Sequence, residues 1–135
     1  MDNSQMQDIQ RIRDILTEWS ENTRLERRDQ ILAHHAANLL IYDVLPPMKY
    51  ESAEAYRASW DDWQPETVGD AIFELQDLNI TAGNEVAFAH SFIRCGGTTP
   101  QGKKFEDLVR ATFCLRKIGN DWQVVHQHIS KPYGH

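Results

Sequence analysis

The chain has 135 residues, 41% of them hydrophobic and 25% charged, with a formal net charge of -6. This is the make-up of one globular domain, residues 1–135, with chain enough for a single core. An acidic chain without a basic run has no electrostatic footprint for nucleic acid, and no apolar stretch approaches the ~20 residues that span a bilayer, so neither nucleic acid nor a membrane is expected as a partner. Met1-Asp2-Asn3-Ser4 lacks the basic and apolar regions of a signal peptide. A cytoplasmic location is therefore the expectation, with Cys95 and Cys114 as reduced, buried thiols.

Ser4-x-x-Gln7 is a capping box. Ile9, Ile12, Ile15, Leu16 and Trp19 come after it at the spacing of one apolar helix face, which predicts a helix over about residues 5–20. Thr23-x-x-Glu26 is a second capping box and predicts a shorter helix carrying Leu25, Ile31 and Leu32. That helix is expected to close at His34-His35, where a histidine suits the C-terminal dipole. Residues 38–43 read as a short apolar strand stopped by Pro46-Pro47. Ser52 can cap a third helix bearing Tyr56, Trp60 and Trp63, closed by Pro65 and Gly69.

The rest reads as strand. Residues 71–80 run into a turn at 82–84. In the segment 85–95, Val86, Phe88, His90, Phe92 and Arg94 alternate with Ala87, Ala89, Ser91 and Ile93. Glycines at 96, 97 and 102 connect this to a strand over 104–117, and Gly119-Asn120-Asp121 turns the chain into a last strand over 122–129. Helices followed by a strand meander specify an α+β fold, with the helices on one face of a mostly antiparallel sheet.

The stretch from Arg110 through Thr112, Arg116, Gly119, Trp122, Val125, His126 and His128 to Ser130 and Pro132 resembles the ending of SnoaL-like proteins. These form, with the ketosteroid-isomerase-like proteins, a branch of the nuclear-transport-factor-2-like superfamily. The same stretch is similar to the association domain of calcium/calmodulin-dependent kinases, and Phe92-Ile93-Arg94 matches an arginine context there. The resemblance implies a cone-shaped, strongly bent sheet covered by three N-terminal helices, a pocket at its wide end and a homodimer. It leaves the reaction open, because the superfamily includes isomerases, lyases and non-catalytic modules.

Four groups of residues could carry chemistry. The resemblance places a proton-shuttling aspartate near Asp43. A carboxylate at the mouth of an apolar pocket can act as a general base, or it can simply order the turn before Pro46. The isomerases hold their enolate with a tyrosine of the first helix and a late-strand acid. Helix one has no tyrosine, no late-strand acid is evident, and Arg110 and Thr112 fall in that neighbourhood. Steroid isomerisation is therefore disfavoured. Arg94 shares a face with Phe88, His90 and Phe92. If that face is concave, Arg94 and Arg110 would bind an anion such as a carboxylate; the alternative is pairing with Glu74, Asp77 or Glu106. His126 and His128 share a face by parity, with Trp122 and Val124. They could serve as pocket acid or base, hold the C-terminal segment, or begin a metal site whose third ligand His90 could supply only if the strand registers match. Tyr56, Trp60 and Trp63 form an aromatic stripe that is either core or pocket wall.

The combined expectation is a small-molecule-binding protein that needs neither metal nor cofactor. Asp43 would be the base of an isomerase or lyase, His90 or His128 the proton shuttle, and Arg94 with Arg110 the anion holders, acting on a small anionic or aromatic compound. The competing expectation is a non-catalytic ligand-sensing or self-association domain, with Ala87, Ala89 and Ile93 buried by a partner.

Overall fold

The computed structural model describes residues 3–63 and 67–134, so Pro65, the expected helix stop, lies outside the described residues. The first helix, α1, spans Asn3–Arg24 and buries Ile12, Ile15, Leu16 and Trp19. It continues through the second capping box. The Thr23 hydroxyl donates back to the Trp19 carbonyl at 2.8 Å, so it completes a helical turn and starts no new one. The second helix, α2 (Arg28–Ile31), is a single turn.

The histidines expected to end α2 open a strand instead. β1 spans His35–Tyr42, and the Val124 amide donates to the His34 carbonyl at 2.8 Å. Ladder bonds to a distant strand outweigh the local helical preference. Ser52 behaves as its position predicts. Its hydroxyl accepts from the Ala55 amide at 3.0 Å and caps α3, Ala53–Trp63.

Four long strands complete the chain: β2 (Ile72–Ala82), β3 (Val86–Thr98), β4 (Lys104–Ile118) and β5 (Asp121–Ser130). The sheet order is β1-β5-β4-β3-β2. β1 runs parallel to β5, and the other pairings are antiparallel. The ladder of β3 on β4 continues through Gly96 and Gly97. Glycine is required at position 96, because a Cβ there would stand 2.2 Å from the Phe105 carbonyl oxygen.

Besides a register break in β1 between His35 and Leu40, bulges in β2 and β5 bend the curled sheet. In β2 the register shifts between Gln76 and Asn79, and Asp77 takes a φ of 56°. In β5 the register passes from Val124 opposite Leu115 to His126 opposite Cys114, leaving Val125 unpaired. The second bulge corrects the parity reading of the last strand. Trp122, Val124, Gln127 and Ile129 are buried, whereas His126 and His128 fall on the opposite face.

The sheet face under the helices carries Ala87, Ala89, Ile93, Ala111, Phe113 and Leu115, all buried. Trp19 of α1 meets the edges of Phe73 and Phe113 at centroid distances of 5.3 Å. Each large side chain fully buried here contributes about 1.5–3 kcal/mol. Ala87, Ala89 and Ile93 are thus covered by this chain's own helices, and the partner expected to bury them is not needed there. Arg11 clamps α1 to the β4–β5 turn with two bonds to Asp121, of 2.9 and 2.8 Å. The guanidinium holds the Asp121 carboxyl down at about 2. Cys95 and Cys114 are free, partly exposed and on opposite faces of the sheet by strand parity. Among the described residues no helix is long and apolar enough to cross a membrane.

Candidate functional site

Between the helices and the covered sheet face lies a cavity of about 260 Å³. α1 and α3 contribute Trp19, Tyr56 and Trp60, and β2 contributes Phe73. Asp43, just past the end of β1, reaches into the same space, and so does Asp107 from β4. The volume suits a ligand built around a single ring.

Ser52 sets the phase of α3. With the cap fixed, Tyr56 and Trp60 lie one turn apart on the same side; both are buried. The Tyr56 ring stands edge-on to Tyr50 at 5.2 Å and to Trp60 at 5.6 Å. Its hydroxyl donates to Asp43 Oδ2 at 2.9 Å, while Asp43 Oδ1 accepts the Val44 amide at 2.7 Å. Burial first, and then the Asp43 charge, push the Tyr56 phenol well above its ordinary pKa. Tyr56 therefore remains a proton donor across the physiological range, and the Asp43 carboxylate is held by two neutral donors. The side chain of Trp63 lies outside the described residues.

Asp107 is the residue that sequence reasoning passed over. It shares the inward parity of Val109, Ala111 and Phe113, and so supplies a late-strand acid where none was evident. Arg110 and Thr112, read as occupying that neighbourhood, point to the other face. Asp107 accepts Lys131 Nζ at 2.6 Å and the Leu108 amide at 3.0 Å. Cys95, its cross-strand partner, also lines the cavity. Burial first, then Asp107, push that thiol upward, which disfavours the thiolate.

The remaining sequence candidates gather on the uncovered face of the sheet. His90, Thr112 and His128 face one another across β3, β4 and β5 in register. With Phe92, Arg110 and Ser130 they line an open groove of about 440 Å³. Arg110 Nε donates to Ser130 Oγ at 2.9 Å. Arg94 reaches Glu74 at 3.1 Å and Glu106 at 2.5 Å, and these two bonds raise its pKa. This is the acid pairing that the sequence left open as the alternative to an anion site. His126 Nδ1 lies 2.7 Å from the Leu40 carbonyl oxygen; a carbonyl only accepts, so the proton sits on Nδ1. The Tyr42 ring packs edge-on against His126 and His128 at 5.0 and 5.3 Å. Phe88 and Phe92 are 49% and 45% exposed, so the face they share with Arg94 is the outer one. The expected aromatic pocket around Arg94 is thereby corrected. The structure brings Asp43 together with Tyr56 and Trp60, and with His128 in a second, open cleft of about 690 Å³ beside Pro46 and Pro47; His90, His126, Arg94, Arg110, Thr112, Phe88 and Phe92 line neither space.

Residues 12–134 match the sequence profile of the SnoaL-like domain. No curated protein matches the chain. Among solved structures, an NTF2-like protein of unknown function from Pseudomonas putida superposes with a TM-score of 0.80 at 30% identity, over 90% of this chain and 84% of that one. An NTF2-like protein with a cystatin-like fold from Novosphingobium aromaticivorans gives 0.78 at 12% identity, over 96% and 85%. The association domain of CaMKII from C. elegans gives 0.74 at 13% identity, over 96% and 100%. The last two are likenesses of fold.

Proposed function

The chain belongs to the SnoaL-like domain family, and from that premise we propose that its helix-covered cavity binds a small molecule and performs cofactor-independent acid–base chemistry on it, as an isomerase or lyase. The observation that carries this reading is the Asp43–Tyr56 pair, 2.9 Å apart in the wall of an aromatic-lined cavity. Asp43 is the base. It takes a proton from the carbon next to a carbonyl; the C–H electron pair becomes a C=C bond as the C=O π pair moves onto the oxygen. Returning the proton to another carbon gives an isomerase; expelling a group from the neighbouring carbon gives a lyase. Tyr56, still protonated, positions Asp43 through its hydrogen bond.

Trp19, Trp60 and Phe73 support the aromatic half of the expected ligand. The anionic half rested on Arg94 and Arg110, and neither faces the cavity. The shuttle role expected of His90 loses its support for the same reason, whereas His128, which lines an open cleft together with Asp43, keeps it.

The test is a thermal-shift screen of cyclic carbonyl compounds, followed by NMR detection of deuterium uptake from D₂O into those that bind. Saturation at 100 times Kd adds about 2.7 kcal/mol of stability, well within reach of such a screen. Asp43→Asn should slow deuterium uptake by about 100-fold or more. Uptake unchanged in that variant would remove Asp43 as the base.

A second reading concerns assembly. Phe88, Phe92, Val86 and Leu108 stand 45–59% exposed on the uncovered sheet face, flanked by the Glu74–Arg94–Glu106 ion pairs. An apolar centre with both charge signs at its edge is self-complementary, which supports a homodimer formed through this face.

A further inference from the structure

The charges in the cavity point to a ligand opposite in sign to the one the sequence suggested. This inference rests on the proposed small-molecule reading of the cavity. Asp43 is bonded to the Val44 amide and the Tyr56 hydroxyl, and among the described residues no basic side chain forms an ion pair with it. Glu26, at the same cavity, likewise has no ion-pair partner among the described residues. The cations nearby are already matched: Arg28, also in the lining, bonds Asp61 at 2.5 Å, and Lys131 bonds Asp107 at 2.6 Å. The walls add a second, independent preference. Trp19, Trp60 and Phe73 are aromatic, and ring faces carry the negative part of a quadrupole that attracts cations. The chain as a whole, at -6, raises the local concentration of cations and lowers that of anions.

We infer that the cavity selects a protonated organic amine, with the ammonium against the Asp43 carboxylate and the apolar body between Trp19, Trp60 and Phe73. An N–H of the ammonium would make a charge-assisted hydrogen bond to Asp43, in a partly desolvated setting where it is stronger than in water. A carboxylate ligand of the same shape would meet like charge from Asp43 and Glu26, with no uncommitted cation among the described lining residues to hold it.

The experiment compares three isosteric probes, 2-phenylethylamine, 2-phenylethanol and phenylacetate, by NMR chemical-shift titration at pH 7.5. It uses the wild-type protein, Asp43→Asn and Trp60→Ala. The amine is expected to bind the wild type about tenfold more tightly than the alcohol, which corresponds to about 1.4 kcal/mol, and phenylacetate should not saturate. Asp43→Asn should bring the amine to within about threefold of the alcohol, and an unchanged circular dichroism spectrum reports that the variant is folded. Phenylacetate binding as tightly as the amine, or an amine preference undiminished in Asp43→Asn, overturns the inference and leaves the cavity as a binding site. Failure of all three probes to bind, or binding indifferent to Trp60→Ala, sinks the cavity reading itself and this inference with it.

Discussion

His35 stands at the start of β1, buried beneath α1, with its ring 6.5 Å from Trp19 and its Nε2 3.0 Å from Gln127 Oε1. Burial lowers the imidazole from 6.5 to about 4; the Gln127 bond acts in the opposite direction and is the smaller effect. The unfolded chain therefore takes up this proton first. Stability is complete above about pH 6.5, falls as the pH drops towards 4, and levels off below that. The whole window is worth about 3 kcal/mol, and the step from pH 8 to pH 5 about 2 kcal/mol. That is a substantial share of the 5–15 kcal/mol typical of a domain. Urea unfolding at pH 8, 6.5 and 5 measures it, with His35→Leu/Gln127→Leu as the comparison. His35 Nδ1 and Gln127 Nε2 have no hydrogen-bond partner among the described residues, so replacing both side chains by apolar ones should be near neutral at pH 8. The double variant should then lose about 2 kcal/mol less than the wild type between pH 8 and pH 5. Equal losses in the two proteins would refute the reasoning. So would an NMR titration placing the His35 ring near its ordinary value, whether or not the double variant folds.

Two further outcomes are expected. Gly96→Ala would set a Cβ 2.2 Å from the Phe105 oxygen and 2.9 Å from the Glu106 Cα. It should cost about 2 kcal/mol and lower Tm by roughly 5 °C or more. Gly97→Ala, whose nearest neighbour would be the Thr67 methyl at 3.1 Å, should cost less, and equal losses would show that the close approach of β4 is not what matters. On the outer face, sedimentation should give the wild type twice the 15.6 kDa of one chain. Phe88→Glu/Phe92→Glu should sediment as a monomer with an unchanged circular dichroism spectrum. A wild-type monomer at high concentration would end the homodimer reading.

The fold was legible because its signals are local and repeated. Alternation from Val86 to Arg94, the Ser52 cap and the apolar face of α1 each specify one element, and each holds in the structure. The misreadings arose where one residue shifts a phase or a distant strand intervenes. Val125 is a single unpaired residue, yet it turns His126 and His128 away from Trp122 and Val124. His34 and His35 look like a helix end until β5 bonds to them. The direction of curl also lies outside a period-two pattern. The alternation in β3 defines two faces without saying which one the helices cover, and this alone decided whether Arg94 sat inside or out. Asp43 and the α3 aromatics were legible as candidates from their positions, but the bond from Tyr56 to Asp43 spans two elements. Asp107 could have been found, since it shares the parity of Phe113, had β4 been read for its acids as well as for Arg110.

The pairing of β1 with β5 carries a consequence for how the protein acquires its fold. Leu40 and His126, joined through the histidine ring, stand 86 residues apart. During synthesis β1 therefore appears long before the strand that completes it. Until then its apolar run, with Leu39 and Ile41 destined for full burial, can pack against α3 and form the isolated bridge from Ile41 to Tyr50, but lacks the strand it pairs with. The β2–β4 meander joins strands adjacent in sequence and can assemble on its own, whereas docking β1 must wait for the last strand. Such long-range closure slows folding and leaves an unpaired apolar edge open to other chains. The segment from His35 to Tyr42 is thus where a chaperone would be most needed, and where a truncated or stalled chain would first aggregate.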